Sequence, residues 1–470
     1  MPTPGVHREP FVHLVDLTHE RALIAWGAFF FEQQQPGGRW EIVDDERLPR
    51  VAGRHTCIGA GAEPWGRAEV LVLGADGDLV ARATTEASSW AWVDGLEPDT
   101  EYRYRVVVDG ADWADGELWD WVPSGRGGND LAPSGRRYDL RFRTWPHPED
   151  PTPPVRFVAI GDYGVGIRAD AESSRRQRRI ADVLETLVAH DDVRFVVSLG
   201  DSVYRGEEGR VDQEGGGEDD DWYSSYFQPY RLALARVPVL PAIGNHDSAD
   251  TEGSDDRAQV EDNLHLRERF HHGLETASVE PGLFYRVPYG RDLELVCLDT
   301  SVDTEDPDVH RWFQHPRHRE WLERTFRDAA ARWVIPFAHH ALLTAGPDHG
   351  SDEELRAAVL PLFDRAGVRL VLAAHEHNFQ VNQLEGRLHV VSGAGGQLDE
   401  RVPEGFEEAG TLAWAAQAHL LLVEVDGDRA RVTPVAGLLD GRPHAMTALS
   451  PHNEILEPPF VVHLDGSPPR

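Results

Sequence analysis

The stretch VRFVVSLGDSVYRG, residues 193–206, runs as a continuous apolar strand and breaks at Gly200 into a polar loop carrying an acid, Asp201, and three residues later a phenol, Tyr204. Two sister stretches have the same form, VRFVAIG at 155–161 and VPVLPAIG at 237–244. Helical patterns at 175–190 and 222–235 lie between them, and continuous apolar strands alternating with helices predict a sheet covered on both faces. Further strands are predicted at 293–298, 333–337 and 368–373, with hairpin strands at 378–384 and 388–392. No internal repeat is visible.

Upstream of this region, PHPEDPTPP at 146–154 is a stiff, proline-rich segment that cannot join a sheet, and a domain boundary is expected there. Residues 10–145 consist of short β-rich and aromatic runs between Gly, Pro and Asp clusters, without a helical period, which predicts a β-sandwich. In VDGLEPDTEYRYRVVVDG, 93–110, Leu96, Pro98, Thr100 and Tyr102 lead into an alternating strand of Tyr102, Tyr104, Val106 and Val108. This resembles the tyrosine corner of fibronectin type III domains, and YDLRFRTWP at 138–146 resembles their last strand.

A chain of 470 residues is long enough for two or three domains, and 40% hydrophobic residues with 14 Trp exclude a disordered one. No apolar run approaches the roughly 20 residues of a membrane span. The longest, ALIAWGAFFF at 22–31, is preceded by Asp16 and Glu20 and followed by EQQQPGG, so it reads as a strand and not a secretion signal. Cys57 and Cys297 stand alone, without a disulfide framework, and the expected compartment is the cytoplasm. Against 81 acids stand 46 basic residues, all Arg, for a net charge of −35, which makes nucleic acid and anionic membrane poor partners.

In sheets of this kind ligands gather beyond the carboxyl ends of the strands. Those ends are uniform here: Asp162 after FVAIG, Asp201 and Tyr204 after VVSLG, Asn245, His246 and Asp247 after LPAIG, His339 and His340 after VIPFA, His375 and His377 after VLAA. Singly, each has a structural explanation as a cap, turn or packing residue. Jointly, five strands deliver oxygen and imidazole donors without thiolate to one rim, a set suited to divalent or trivalent first-row metals.

The ordered motifs GD-Y-G, GD-x-x-Y, GNHD, a strand ending in His339, and HEH resemble calcineurin-type metallophosphoesterases and, within them, purple acid phosphatases. REWLERTF ahead of ARWVIPFAHH, and HVVSGAGG near the end, extend the resemblance over nearly the whole chain. It implies a fibronectin-type sandwich at 1–146, a linker at 147–154 and a four-layer αββα catalytic domain at 155–470. It places Asp162, Tyr204 and His377 on a first metal, ferric iron held by the tyrosinate. Asn245, His339 and His375 fall on a second, iron, zinc or manganese, with Asp201 bridging the two.

The implied reaction is hydrolysis of a small phosphoric monoester by metal-activated water. His246 would be the proton donor to the leaving group, with Asp247 orienting its ring, while Asn245, His340 and His349 would face the substrate. A phosphodiesterase or nucleotide pyrophosphatase on the same core is the alternative, and a decayed scaffold protein a further one. Two positions depart from the family pattern, Ala374 for Gly and Ala341 for Pro. The substrate-contacting histidine pair of the plant-type enzymes is here Asp348 and His349. The run 205–221, with eight acids and two Arg, reads as a solvated loop, or alternatively as a lid excluding polyanions.

Overall fold

The computed structural model describes the chain except residues 1–4, 34–36, 45, 125–128, 169–170, 205–221, 249–256, 271–276, 279–281, 303–310 and 468–470. The acidic run 205–221 therefore lies outside the described residues.

From residue 155 onward the strands form two sheets. The first has the order Val239–Pro241, Val193–Ser198, Val155–Ile160, Leu420–Asp426, Arg429–Leu439, Arg442–Ala445. Its first three strands are the three apolar stretches, paired in parallel, and Val155–Ile160 then pairs antiparallel with Leu420–Asp426. The second sheet contains the parallel series Leu293–Cys297, Trp333–Phe337, Leu370–Ala373 and Arg387–Ser392. Helix Glu172–His190 buries Ile180, Val183, Leu184 and Leu187, an i, i+3, i+4, i+7 stripe, in the core of the first sheet. Helices Pro316–Arg327 and Glu353–Ala366 share a core with the second through Trp321, Leu322, Phe326, Leu355, Val359 and Phe363.

The layers are thus helix, sheet, sheet, helix. This is the αββα layering that the resemblance implies; the strand–helix alternation alone indicated a sheet covered on both faces, and here each sheet is covered by helix on one face and by the other sheet on its second. A continuous apolar strand signals burial of both faces, and a second sheet buries a face as well as a helix does.

The N-terminal region is all-β apart from a one-turn helix at Leu48–Val51. One sheet pairs Val6–Leu17, Arg21–Gln33, Trp40–Ile42 and Trp90–Asp94, so the apolar run 22–31 is a strand. A second pairs Arg141–Arg143, Glu101–Val108, Ala68–Leu73 and Leu79–Thr85, and Trp119–Pro123 forms a two-stranded sheet with Asn129–Pro133. Tyr102, Tyr104, Val106 and Val108 are the buried face of their strand, and the Tyr102 hydroxyl accepts from the Glu97 N–H at 2.9 Å. The strand expected over 138–146 is confined to Arg141–Arg143.

The segment 146–154 forms no strand. Thr152 pins it to the second sheet, its N–H donating to Asp292 Oδ2 at 3.0 Å and its hydroxyl to the Tyr289 carbonyl at 3.0 Å. One continuous apolar cluster runs from Trp26 and Tyr104 across to Phe195 and Tyr230. Among the described residues no helix is long and apolar enough to cross a membrane.

Candidate metal centre

The turns that leave the strands bring the expected residues together at one rim. Asp162, Asp201 and Asn245 come from the first sheet, and His339, His375 and His377 from the second, so the site sits where the carboxyl ends of the two sheets meet. Asp162, Asp201 and His339 are buried, with donor atoms all within 4.8 Å of one another. The loops beneath are tied together: Asp162 N–H donates to Gly200 O at 3.1 Å and Tyr204 N–H to Gly164 O at 2.9 Å. Gly244 is required by close approach, since a Cβ there would lie 2.0 Å from Asp201 Oδ1.

Two groupings are distinct. In one, the Tyr204 hydroxyl donates to Asp162 Oδ1 at 2.9 Å, and His377 Nε2 lies 3.3 Å from the same oxygen and 3.5 Å from the phenol. In the other, His339 Nε2 lies 2.8 Å from Asn245 Oδ1 and 3.1 Å from His375 Nδ1. Asp201 Oδ2 is 3.5 Å from His339 Nε2, while Asp201 Oδ1 accepts the His246 N–H at 2.9 Å.

The donor set fits a cation. His339 Nδ1 faces the Leu199 carbonyl at 2.9 Å and must donate to it, so Nε2 turns toward Asn245 Oδ1 and Asp201 Oδ2, both acceptors. A proton or a metal ion would reconcile those atoms, and three carboxylates, Asp162, Asp201 and Asp247, are buried around them. Burial, then the charges of Asp162 and Asp247, pushes Asp201 well above the usual carboxylate range. Burial, then Asp162 and Asp201, likewise raises the Tyr204 phenol. A polyvalent cation would reverse both effects.

The remaining residues are placed as follows. The His246 ring lies against Tyr204 at 4.3 Å between centroids, and burial, then the His339 charge, lowers its pKa to about 4. Asp247, expected to orient that ring, has both oxygens on backbone amides instead, accepting from Ser202 N–H at 2.8 Å and Gly244 N–H at 3.1 Å. It is fully buried beneath the turns, where carboxylate oxygens find amide donors and not a neighbouring side chain. His340 Nδ1 bonds Thr300 Oγ1 at 2.8 Å, which makes it a second layer behind His375. His349 stands at the rim, stacked on the His375 ring at 3.8 Å.

Two supports escaped the sequence reading. Gly395 N–H donates to Gly161 O, and Gly396 and Gln397 N–H to Asp162 O, so the SGAGG run cradles the first carboxylate's backbone. Glu376, between the two histidines of HEH, is fully buried, and its oxygens accept the N–H groups of Asp348, His349 and Gly350.

Residues 155–379 match the family model of the calcineurin-like phosphoesterases. Tartrate-resistant acid phosphatase type 5 of Oryctolagus cuniculus is 28% identical over 287 residues, 56% of this chain and 81% of the relative. The structure of PhoD superposes with a TM-score of 0.60 at 13% identity, covering 99% of this chain and 91% of that one. The purple acid phosphatase PPD1 from yellow lupin (Lupinus luteus) seeds does so with a TM-score of 0.55 at 12% identity, covering 95% and 80%. Residues 155–379 are thus a calcineurin-like phosphoesterase domain, and with acid phosphatases among its relatives the chain is a metal-dependent hydrolase of phosphoric esters.

Proposed function

We propose that the protein is a binuclear phosphomonoesterase of the purple acid phosphatase type, acting on small phosphorylated molecules. The observation that carries this is the His339 tautomer, with Nε2 turned on Asn245 and Asp201 beside a second grouping of Asp162, Tyr204 and His377. The first site would be held by Asp162, Tyr204 and His377, the second by Asn245, His339 and His375, with Asp201 common to both. Ferric iron suits the first, because a phenol that ordinarily titrates near 10 becomes a sensible ligand only beside a strongly charged cation. Iron, zinc or manganese suits the second.

When bound, the ions supply Lewis acidity that acidifies water and neutralises phosphoryl oxygens. The chain's own residues do the rest. Leu199 O fixes the orientation of His339, and Asp247 locks the turns that carry Asp201 and Asn245 through the amides of Ser202 and Gly244. His246 beside Tyr204 is placed to pass a proton to the departing alkoxide, and a bound phosphate dianion would favour its protonated form against the burial that lowers its pKa. The net charge of −35 favours small substrates over polyanions, and both cysteines are buried outside any disulfide, which suits the cytoplasm.

Elemental analysis with a visible spectrum after iron loading tests the centre. About two metals per chain and a tyrosinate-to-ferric band lost in Tyr204→Phe are expected; no metal under any loading condition would overturn the reading. Turnover of an aryl phosphate well above a bis-aryl phosphate is expected, and the reverse order would make it a diesterase.

A further inference from the structure

After the strand Trp333–Phe337 the chain runs through 338–352 without regular structure, yet residues 341–346 are buried. A buried loop needs a partner for each backbone N–H and C=O, and here side chains of the strand Phe379–Leu384 and of the turn leading into it supply several of them. The alternate residues Glu376, Asn378, Gln380 and Asn382 are all polar and all fully buried. Asn382 Nδ2 donates to Leu343 O at 3.0 Å, and Gln380 Oε1 accepts from Ala345 N–H at 2.8 Å. Gln380 Nε2 and Asn378 Nδ2 both donate to Gly346 O, at 2.9 and 3.1 Å. Glu376 closes the series: Oε1 accepts from His349 N–H at 2.6 Å and Gly350 N–H at 2.9 Å, and Oε2 from Asp348 N–H at 3.2 Å.

The ladder ends where the loop meets the metal-binding cluster. His349, its backbone held by Glu376, stacks on His375 on one side. On the other it lines a cavity of about 870 Å³ whose walls include Pro347, Arg356, Arg401 and Glu404. Arg401 ties the loop from outside, bridging Asp348 at 2.7 Å and Asp399 at 2.6 Å, and the Asp399 N–H donates to His377 O at 2.8 Å.

We propose that this buried ladder is the positioning device of the substrate-facing loop, with Glu376 the positioning residue for His349, and that the adjoining cavity receives the organic group of the ester. The inference rests on the phosphoesterase reading above. Glu376 acts as a three-fold acceptor. Gln at 376 keeps one oxygen and presents an amide group to an N–H, so the loop loses at least one of its three bonds.

The test uses the full, metal-loaded chain. Amide hydrogen exchange over 343–351 is compared in wild type and Glu376→Gln, together with metal content, kcat and KM for an aryl phosphate. Faster exchange at 348–350, unchanged metal content and a KM raised about tenfold with a smaller change in kcat are expected. His349→Ala should raise KM comparably, and the double variant no further than His349→Ala alone. Unaltered exchange in Glu376→Gln, additive effects in the double variant, or metal loss in step with kcat would overturn the inference. Should Glu376→Gln not fold, Glu376→Asp, which keeps the charge but shortens the reach, is read by the same criteria. A wild type that turns over no ester defeats the functional reading, while the exchange comparison still decides whether Glu376 holds the loop.

Discussion

Asp162, Asp201 and His375 have φ of 55°, 55° and 71°, left-handed backbone that side-chain-bearing residues adopt at a cost of about 1–3 kcal/mol each. Asp and His tolerate it better than most, and it turns each side chain back over the end of its own strand. Such turns leave little space between strand ends. A Cβ on Gly161 would lie 2.4 Å from the Ala374 Cβ and 3.0 Å from the Ser392 carbonyl, so Gly161 accommodates the alanine where the family pattern has glycine. Gly161→Ala is therefore expected to cost about 1–3 kcal/mol in urea denaturation and to lower metal content, with Ala374→Gly restoring part of both. Wild-type stability and metal content in Gly161→Ala would show that the strand ends have slack. The neighbouring Asp247 shows the limit of reading residues in order: adjacency to His246 suggested a ring partner, whereas the fold turns the carboxylate down onto amides that carry no mark in the sequence.

At the scale of elements, the helix Gln228–Leu234 joins the N-terminal region to the first sheet through Arg231, which is 2% exposed. Its guanidinium bonds Glu9 and Asp120 and donates to Trp119 O at 2.8 Å. Removing the cation leaves Glu9, itself 4% exposed, as a buried carboxylate without its counter-charge. Arg231→Met is expected to destabilise by about 3–5 kcal/mol, while Arg231→Met with Glu9→Leu recovers much of the loss. Equilibrium denaturation decides it, and a single variant within about 1 kcal/mol of wild type would make this contact a bystander. Strands were the most legible elements. Trp333–Phe337 begins and ends where its apolar run does, and the core strands of both sheets show as apolar stretches. The strands Leu420–Asp426 and Arg429–Leu439, which extend the first sheet, were not read, because only Val155–Ile160 at their far side identifies the sheet they join. Of the polar ladder, residues 378–382 were legible as part of a strand but not as a support, since alternation of polar residues ordinarily marks a face in water and here marks one against a loop.

For the whole molecule, two opposing titrations set the acid limit of the fold. His13, His265, His389 and His419 are buried away from the metal-binding cluster, and neither ring nitrogen of His13 or His389 has a hydrogen-bond partner among the described residues. Burial, reinforced by Arg387 at His389 and by Arg269 at His265, lowers both of these to about 3, and burial lowers His419 to about 4. Unfolded histidine titrates near 6.5, so below that pH the unfolded chain binds protons that the folded one refuses. The stability these residues contribute is complete above about 6.5 and is lost as pH falls toward 3–4. Against this, 81 acids facing 46 Arg repel one another at neutral pH, and acidification relieves that repulsion. Salt separates the two contributions, because it screens surface repulsion and leaves buried histidines untouched. At pH 7 about 1 M NaCl should raise Tm. With repulsion screened in that salt, His389→Leu should lose less Tm than wild type as pH drops from about 6.5 to 5, because buried Glu9 and Glu185, raised to about 7 by burial, take up protons alike in both chains. An equal change of Tm with pH in the two chains would mean that His389 does not contribute to the acid limit of the fold.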